Sequence, residues 1–454
     1  MSHRMLFAAP ALVLMLAAGC TGISKEPAGN FAAQSDKVVP VQDETDPAQD
    51  ETDPAQGQQI HPDTSAAAQA PVQGDTDDGV RDGEKPADVT DDGNANEDDI
   101  PRAEDDGTDE GISLIMVGDI LLHDPVNRVC RVEGQGYDYS GIFAKTVDEI
   151  GNADIAIVNQ EVIIGGAELE VSGYPAFNAP YEIGDELAET GFDIICHATN
   201  HSLDRGKKGI MNCLNFWESQ HPEVTVLGIH DSEEDRNNIC IYEQDGIRIA
   251  VLNYTYGTNG IRLPEGMPYA VDILDEDRVE KDLLRAEEMA DFTVVCPHWG
   301  EEYSHRISTD QDKWCELFLK NGADLVIGTH PHVIEPVKWM VNEDTGDKML
   351  VYYSIGNFVN WTAGEGPGTS DRVVGGMAVV NIGKNDRGGI EIKDHGVIAL
   401  VCHLARERDK MTVYRLCDYS DELARSNEIL SRDPSFSMRY CTDLCDEIWG
   451  DLWY

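Results

Sequence analysis

From about residue 111 onward, short apolar runs bounded by Gly, Pro or polar clusters alternate with segments whose apolar residues recur every three or four positions. The first pattern reads as buried strands and the second as amphipathic helices. ISLIMVGD, DIAIVNQE, FDIICHATNH, VTVLGI, CIYEQ, IRIAVLNYTY, FTVVCPHW, DLVIGTHPHV and KMLVYYSIGNFV make up the strand series. Between them the spacing predicts helices over 140–150, 180–191, 206–219, 275–290 and 310–321, with Ser140 as a cap and Gly191 as a stop. EQDGIR places an Asp-Gly pair between two strands, which predicts a tight hairpin. Residues 375–416 depart from the alternation. MAVVNI, GIEIKDHGVIALVCHL and MTVYRL read as antiparallel strands, followed by a helix near 421–430 and an aromatic tail, IWGDLWY. Strands alternating with helices predict an α/β core in which helices cover sheets.

Five of the apolar runs stop on residues able to hold a cation. GDILLH supplies Asp119 and His123, VNQE supplies Asn159 and Glu161, ATNH supplies Asn200 and His201, CPHW supplies His298, and GTHPH supplies His330 and His332. Ligands in α/β sheets bind just beyond the carboxyl ends of strands, so these five ends are expected to meet in one pocket. Carboxylate, imidazole and Asn oxygen donors suit Mn, Fe, Zn or Mg better than a thiolate-selective metal. Residues two apart in extended chain share a face, which lets Asn159 and Glu161, and likewise His330 and His332, point together. His201 is placed to protonate a leaving group, with Asp204 orienting its ring. Each cluster taken singly also has a plain structural reading: Asp119 as a turn cap, Asn159 and Glu161 as a polar strand end. Ser354 and Asn357 in SIGNFV read as a strand-to-loop turn, Asn357 supporting the pocket. There is no G-x-S-x-G elbow, no phosphate-binding P-loop and no G-x-G-x-x-G after a strand.

Composition changes the picture at the N-terminus. LFAAPALVLMLAA followed by AAGC, after Arg4, reads as an export signal ending on a lipobox-like Cys20. Its apolar stretch is too short for a mature membrane-spanning helix. Residues 21–110 carry 25 Asp and Glu against five Lys and Arg, with Phe31 their only aromatic residue. Such a segment buries too little apolar area to offset chain entropy and is expected to be a disordered acidic tether. DETDPAQ occurs there twice in tandem. The whole chain has a formal net charge of −51, which argues against nucleic-acid binding. Ten cysteines follow Cys20 without a C-x-x-C pair. Cys196 and Cys296 lie inside apolar strand patterns and read as buried thiols. Cys441 and Cys445 share a helix face, a spacing that rarely suits a bridge.

Taken in order, GDILLH, VNQE, YPAFNAP, GFDIICHATNHSLDRG, HWGEEY, GTHPHVIEP and SIGNFV resemble the CapA (PgsA-like) capsule and poly-γ-glutamate synthesis proteins, a branch of the calcineurin-like metallophosphatase superfamily. The resemblance runs over about 112–361. It implies a four-layer αββα sandwich over 111–454, with a core at 112–362 and a β-rich extension at 375–454. It further implies Asp119, Glu161, Asn200, His298, His330 and His332 as ligands of one or two divalent metals, and His201 as the proton donor, assisted by Asp204. His123, Asn159 and Asn357 become supporting residues. Asn178, Gln160 and Thr199 stand where the family often carries Arg, Leu and Asn. The expected function is an extracytoplasmic, lipid-anchored role in capsule or poly-γ-glutamate synthesis, with a metal-dependent phosphoesterase-like site. Amide cleavage or transfer on that polymer is an alternative. So is a non-enzymatic part in assembling or exporting an anionic polymer beside membrane-bound synthase subunits.

Overall fold

The computed structural model describes residues 111–454. The export signal, Cys20 and the acidic segment 21–110 lie outside the described residues. Two sheets form the centre of the described chain. Across the first, the strands run in the order Met411–Arg415, Ile390–Leu404, Val374–Lys384, Ile112–Ile120, Ile155–Asn159, Ile194–Cys196 and Thr225–Leu227. Asn357–Val359 pairs in parallel with the end of Ile112–Ile120. Across the second, the order is Val337–Val341, Lys348–Tyr352, Leu325–Ile327, Phe292–His298, Ile247–Thr255 and Cys240–Gln244. Four central strands of the second sheet are parallel and its two edges antiparallel. The Asp245-Gly246 turn joins the last two strands, both residues at positive φ, as the Asp-Gly pair requires.

Side-chain alternation along the second sheet defines the layers. Ile249, Val251, Val294, Cys296, Leu325, Ile327 and Leu350 share one core with Ile115, Val117 and Ile157 of the first sheet. The intervening Ala250, Leu252, Val295, Val326 and Val351 pack instead against Val279, Leu283 and Phe318. Those three belong to helices Glu276–Met289 and Thr309–Lys320. The latter starts on a reciprocal cap in which Ser308 and Gln311 satisfy each other's backbone N–H groups. Helices Tyr181–Thr190 and Gly206–Gln220 bury Ile183, Leu187, Ile210 and Cys213 in the core of the first sheet. The result is an αββα sandwich. Parallel strands buried on both faces explain why their sequences are continuous apolar runs.

Two local expectations change. The helix predicted over 140–150 is broken into Ser140–Phe143 and Val147–Asn152. Thr146 folds its hydroxyl back onto the Phe143 carbonyl (3.2 Å), a bond that competes with helix continuation. The helix near 421–430 stops at Ser426, where Asn427 caps a separate 3-10 turn, Glu428–Ser431. The β-rich segment after residue 374 joins the first sheet directly, Val374–Lys384 pairing antiparallel with Ile112–Ile120. Helix Met438–Trp449 buries Cys441 and Cys445, and the ten cysteines of the described residues are all free thiols.

Asn253 ties the two sheets together at the level of the strand ends. Its Oδ1 accepts from Ala198 N (2.7 Å), and its Nδ2 donates to Cys296 O (2.8 Å). Gly118 lets a neighbouring loop approach closely: a Cβ there would lie 1.9 Å from the Gly356 carbonyl. The next residue, Asp119, donates its backbone N–H to that same carbonyl.

A buried ionic network flanks the second sheet. His230 bonds Asp235 (2.9 Å) and Asp272 (2.8 Å), while Arg236 bonds Asp272 and Asp282. Burial opposes the His230 cation, but its two carboxylate partners outweigh that and raise its pKa from 6.5 to about 9. A raised folded pKa means stability that is complete below pH 6.5 and lost as the pH climbs through 9, up to about 3 kcal/mol. Denaturant titrations from pH 6 to 9.5 are therefore expected to show a fall in unfolding free energy that is flatter in His230→Gln. An unchanged slope would remove His230 as its source.

Candidate metal centre

The five polar strand ends meet between the carboxyl edges of the two sheets. From the first sheet come Asp119, Asn159 with Glu161, and Asn200 with His201. From the second come His298 and the Thr329–His332 turn. All are buried: Asp119, Asn159 and His298 are 0 % exposed and Glu161 is 1 % exposed.

Glu161 is at the centre. Its Oε1 lies 3.8 Å from Nε2 of His298, 3.8 Å from Nε2 of His332 and 3.9 Å from Nε2 of His201. Each separation exceeds a hydrogen bond. Neither Glu161 oxygen has a hydrogen-bond partner, nor does His330 Nδ1 or Asn159 Oδ1. Ligating atoms of Glu161, His330 and His332 lie within 4.8 Å of one another. A second set borders the first, with His298 Nε2 2.8 Å from Asn200 Oδ1.

Hydrogen bonds from around the cluster aim its members. Asn159 Nδ2 donates to Asp119 Oδ1 (2.8 Å), and the other Asp119 oxygen accepts from the His330 backbone (3.1 Å) and lies 3.3 Å from His332 Nδ1. His298 Nδ1 sits 3.0 Å from the Thr329 hydroxyl. Asn357 Oδ1 faces His332 Nδ1 (3.0 Å), while its Nδ2 donates to the His332 carbonyl (2.9 Å). The His-Pro-His turn carries strain: His330 has φ 97° and His332 φ 58°, values disfavoured for any residue with a Cβ.

Burial sets the electrostatics. It drives the Glu161 pKa well up, with His332 opposing and Asp119 adding. It drives His298 well down, helped by His330 and His332, and His330 well down, helped by His332. For His332 burial also pulls down, but Glu161 and Asp119 prevail and raise it to about 9. His298 and His330 are thereby held neutral, as imidazole ligands must be, whereas Glu161 and His332 are shifted toward their protonated forms, so a cation binding there would displace their protons.

His201 reaches the cluster from one side. Its Nδ1 is 2.7 Å from Asp204 Oδ2, so Nε2 is the nitrogen turned toward Glu161. The same Asp204 oxygen accepts from Phe177 N (2.7 Å), and the Phe177 ring meets the His201 ring edge-on, centroids 4.6 Å apart. The YPAFNAP segment thus braces the His201–Asp204 pair. The three departures from the resemblance each have a structural role. Asn178 bonds Gly165 N, Gly166 O and Glu170 O. Gln160 donates to Val162 O, and the Thr199 hydroxyl donates to Glu161 O and accepts from His201 N.

His123 is outside the group formed by Glu161, His330 and His332 and lines the adjoining cleft. It packs edge-on against Phe177 and Trp361, and burial followed by its histidine neighbours lowers it to about 4. Residues not singled out in the sequence complete the surroundings: Thr329, Asn253, Tyr256 (4.6 Å from the His330 ring), Tyr303, Trp361 and Arg372. Asn253 had a visible signal, a lone amide inside an apolar strand. Tyr303 closes the HWGEEY motif, whereas Tyr256, Trp361 and Arg372, the last in the 3-10 helix Thr369–Val373, follow no periodic pattern.

The family model described as bacterial capsule synthesis protein PGA_cap matches residues 113–362. The capsule biosynthesis protein CapA of Bacillus anthracis is 27% identical over 56% of this chain and 61% of its own length. The PGA biosynthesis protein CapA of Bacillus subtilis (strain 168) is 25% identical over 56% of this chain and 66% of its own length. The chain thus spans less than two thirds of either relative. Among solved structures, a 5′-nucleotidase precursor from Thermus thermophilus aligns with a TM-score of 0.38 and 15% identity, covering 64% of this chain and 54% of that one. With more than half of its residues matched, and each of the five converging strand ends inside the matched span, this chain belongs to the bacterial capsule synthesis protein PGA_cap family.

Proposed function

We propose that the chain is a metal-dependent hydrolase of the cell exterior, acting on a phosphoester or an anionic surface polymer during capsule synthesis. The observation that carries this reading is the buried Glu161 carboxylate, which has no hydrogen-bond partner and faces three imidazoles beyond hydrogen-bonding distance. In a protein interior such a group is costly unless a cation compensates it. The donor set fits one or two ions of Mn, Fe, Zn or Mg. Glu161, His330 and His332 would hold one ion; Asp119, Asn200 and His298 adjoin and would hold a second.

A divalent ion here would supply Lewis-acid polarisation of the scissile group. The protein's own residues do the rest. Asp119, Asn159 and Asn357 fix the imidazoles in place through the bonds described above. His201 Nε2 faces the reacting region and can deliver a proton to a leaving oxygen, while Asp204 holds Nδ1 and stabilises the imidazolium. Hydrolysis would consume one water, whose oxygen bonds to the scissile phosphorus or carbonyl carbon as the leaving group departs with the His201 proton.

A second reading, that the chain assembles or exports an anionic polymer without turnover, draws on the names of the capsule relatives. Metal-loaded protein offered a nitrophenyl phosphodiester and an oligo-γ-glutamate separates the readings. Metal-dependent turnover of the first supports phosphoester hydrolysis, turnover of the second amide cleavage, and turnover of neither removes the enzyme. The membrane attachment belongs to the same proposal and rests on Cys20. Cys20→Ser is expected to shift the protein from the membrane fraction to the soluble exterior, and unchanged retention would contradict it.

A further inference from the structure

A cleft of about 380 Å³ opens beside His332 and is walled by His123, Tyr303, Trp361, Thr362 and Arg372. Arg372 is the one arginine lining it. Its guanidinium lies 3.6 Å over the Tyr303 ring, its Nη1 donates to the Thr362 hydroxyl (2.8 Å), and its buried Nε has no partner. Among the described residues it forms no ion pair, in contrast to Arg236, Arg248, Arg408 and Arg415, each matched to a carboxylate. The carboxylate in the same wall, Asp124, accepts from Gly173 N (2.7 Å) and makes no ion pair with Arg372. Of the two histidines in the wall, His332 belongs to the candidate metal centre and His123 is lowered to about 4, so His123 carries no charge near neutrality.

The position of Arg372 is tied to the metal centre. Asn357 Nδ2 donates both to the His332 carbonyl and to the Arg372 carbonyl (2.9 Å each), while its Oδ1 faces the His332 ring. One amide therefore bonds both a proposed metal ligand, His332, and Arg372, the one arginine in the cleft wall. In so acidic a chain, with net charge −51, an anionic substrate needs such a local cation to approach.

We infer that the cleft is a substrate subsite in which Arg372, stacked on Tyr303, binds an oxyanion flanking the bond cleaved at the metal centre. Trp361 and Tyr303 cover the apolar linker between that anion and the scissile group. A planar guanidinium held against an aromatic face presents a fork of N–H donors to a carboxylate or phosphate. The inference rests on the hydrolase reading above, and its test keeps the two apart.

Calorimetric titration of the Mn-loaded full chain with tri-γ-glutamate and with glycerol phosphate gives that test, with metal content measured in parallel. Binding of at least one probe is expected, and Arg372→Gln should weaken that binding about 10- to 100-fold with metal content unchanged. Arg372→Lys, which keeps the charge and loses the fork, should fall between; it also serves should Arg372→Gln not fold. A loss confined to tri-γ-glutamate names a carboxylate as the anion, and one confined to glycerol phosphate names a phosphate. Metal retained with both probes bound equally by parent and variants, or neither bound by the parent, overturns the subsite. Failure of the parent to hold metal overturns the hydrolase reading instead.

Discussion

Glu161→Gln is expected to abolish the thermal stabilisation that added Mn, Fe or Zn confers, while leaving the metal-free protein at least as stable as the parent. The two halves have opposite physical origins. In the absence of metal, Glu161 is a fully buried carboxyl with neither oxygen bonded and Asp119 close by, which raises its pKa well above normal. Replacing it by a neutral group of the same size removes a cost and creates no cavity. With metal at 100 to 1,000 times its dissociation constant, the parent gains about 3–4 kcal/mol. That corresponds to a rise of roughly 5 °C in the unfolding midpoint of a domain this large. The variant should gain little of it. Scanning calorimetry with and without each metal reads both halves. A variant much less stable than the parent without metal, yet equally stabilised by metal, would make Glu161 a structural residue.

The second large effect is expected on turnover. His201→Ala should lower the rate on an alkyl phosphoester or an oligo-γ-glutamate, whose leaving group needs a proton, by about 10²- to 10⁴-fold, the range for a lost general acid, and on the nitrophenyl phosphodiester far less. Metal content and fold should persist, because His201 is outside the group formed by Glu161, His330 and His332. Asp204→Asn should give a smaller loss. It keeps an acceptor for Phe177 N and for the ring, but not the charge that stabilises imidazolium. Single-turnover rates beside elemental analysis provide the measurement. Equal rates in parent and His201→Ala on the substrates that need a proton would exclude the residue from proton transfer, and loss of metal in the variant would reassign it as a ligand.

The legible parts of this site were those created by local pattern. A parallel strand buried on both faces must be apolar throughout, so a polar cluster at its end stands out. Asp119, Glu161, Asn200, His298 and the His330–His332 pair were all visible for that reason, as was the hairpin at Asp245-Gly246. What local pattern does not carry is partnership across the chain. The bond from His330 N to Asp119 spans 211 residues, and the strand Val374–Lys384 completes a sheet begun at Ile112. A run of antiparallel strands late in a sequence looks like an appendage until its register partner is known. Arg372 sits in the short 3-10 helix Thr369–Val373 with nothing periodic around it, and its relation to His332 passes through the side chains of Asn357 and Tyr303. The broken helix over 140–150 had the right spacing for continuity. At the break, the Thr146 N–H and hydroxyl both turn back onto the Phe143 carbonyl.

Metal content tests most directly the proposal that the pocket around Glu161, His330 and His332 holds divalent cations. The full-length protein should be reconstituted separately with Mn, Fe and Zn, dialysed exhaustively and assayed by elemental mass spectrometry. The predicted result is one to two ions retained per chain from at least one of these metals, reduced in Glu161→Gln and in His330→Ala. Retention of none of the three would contradict it.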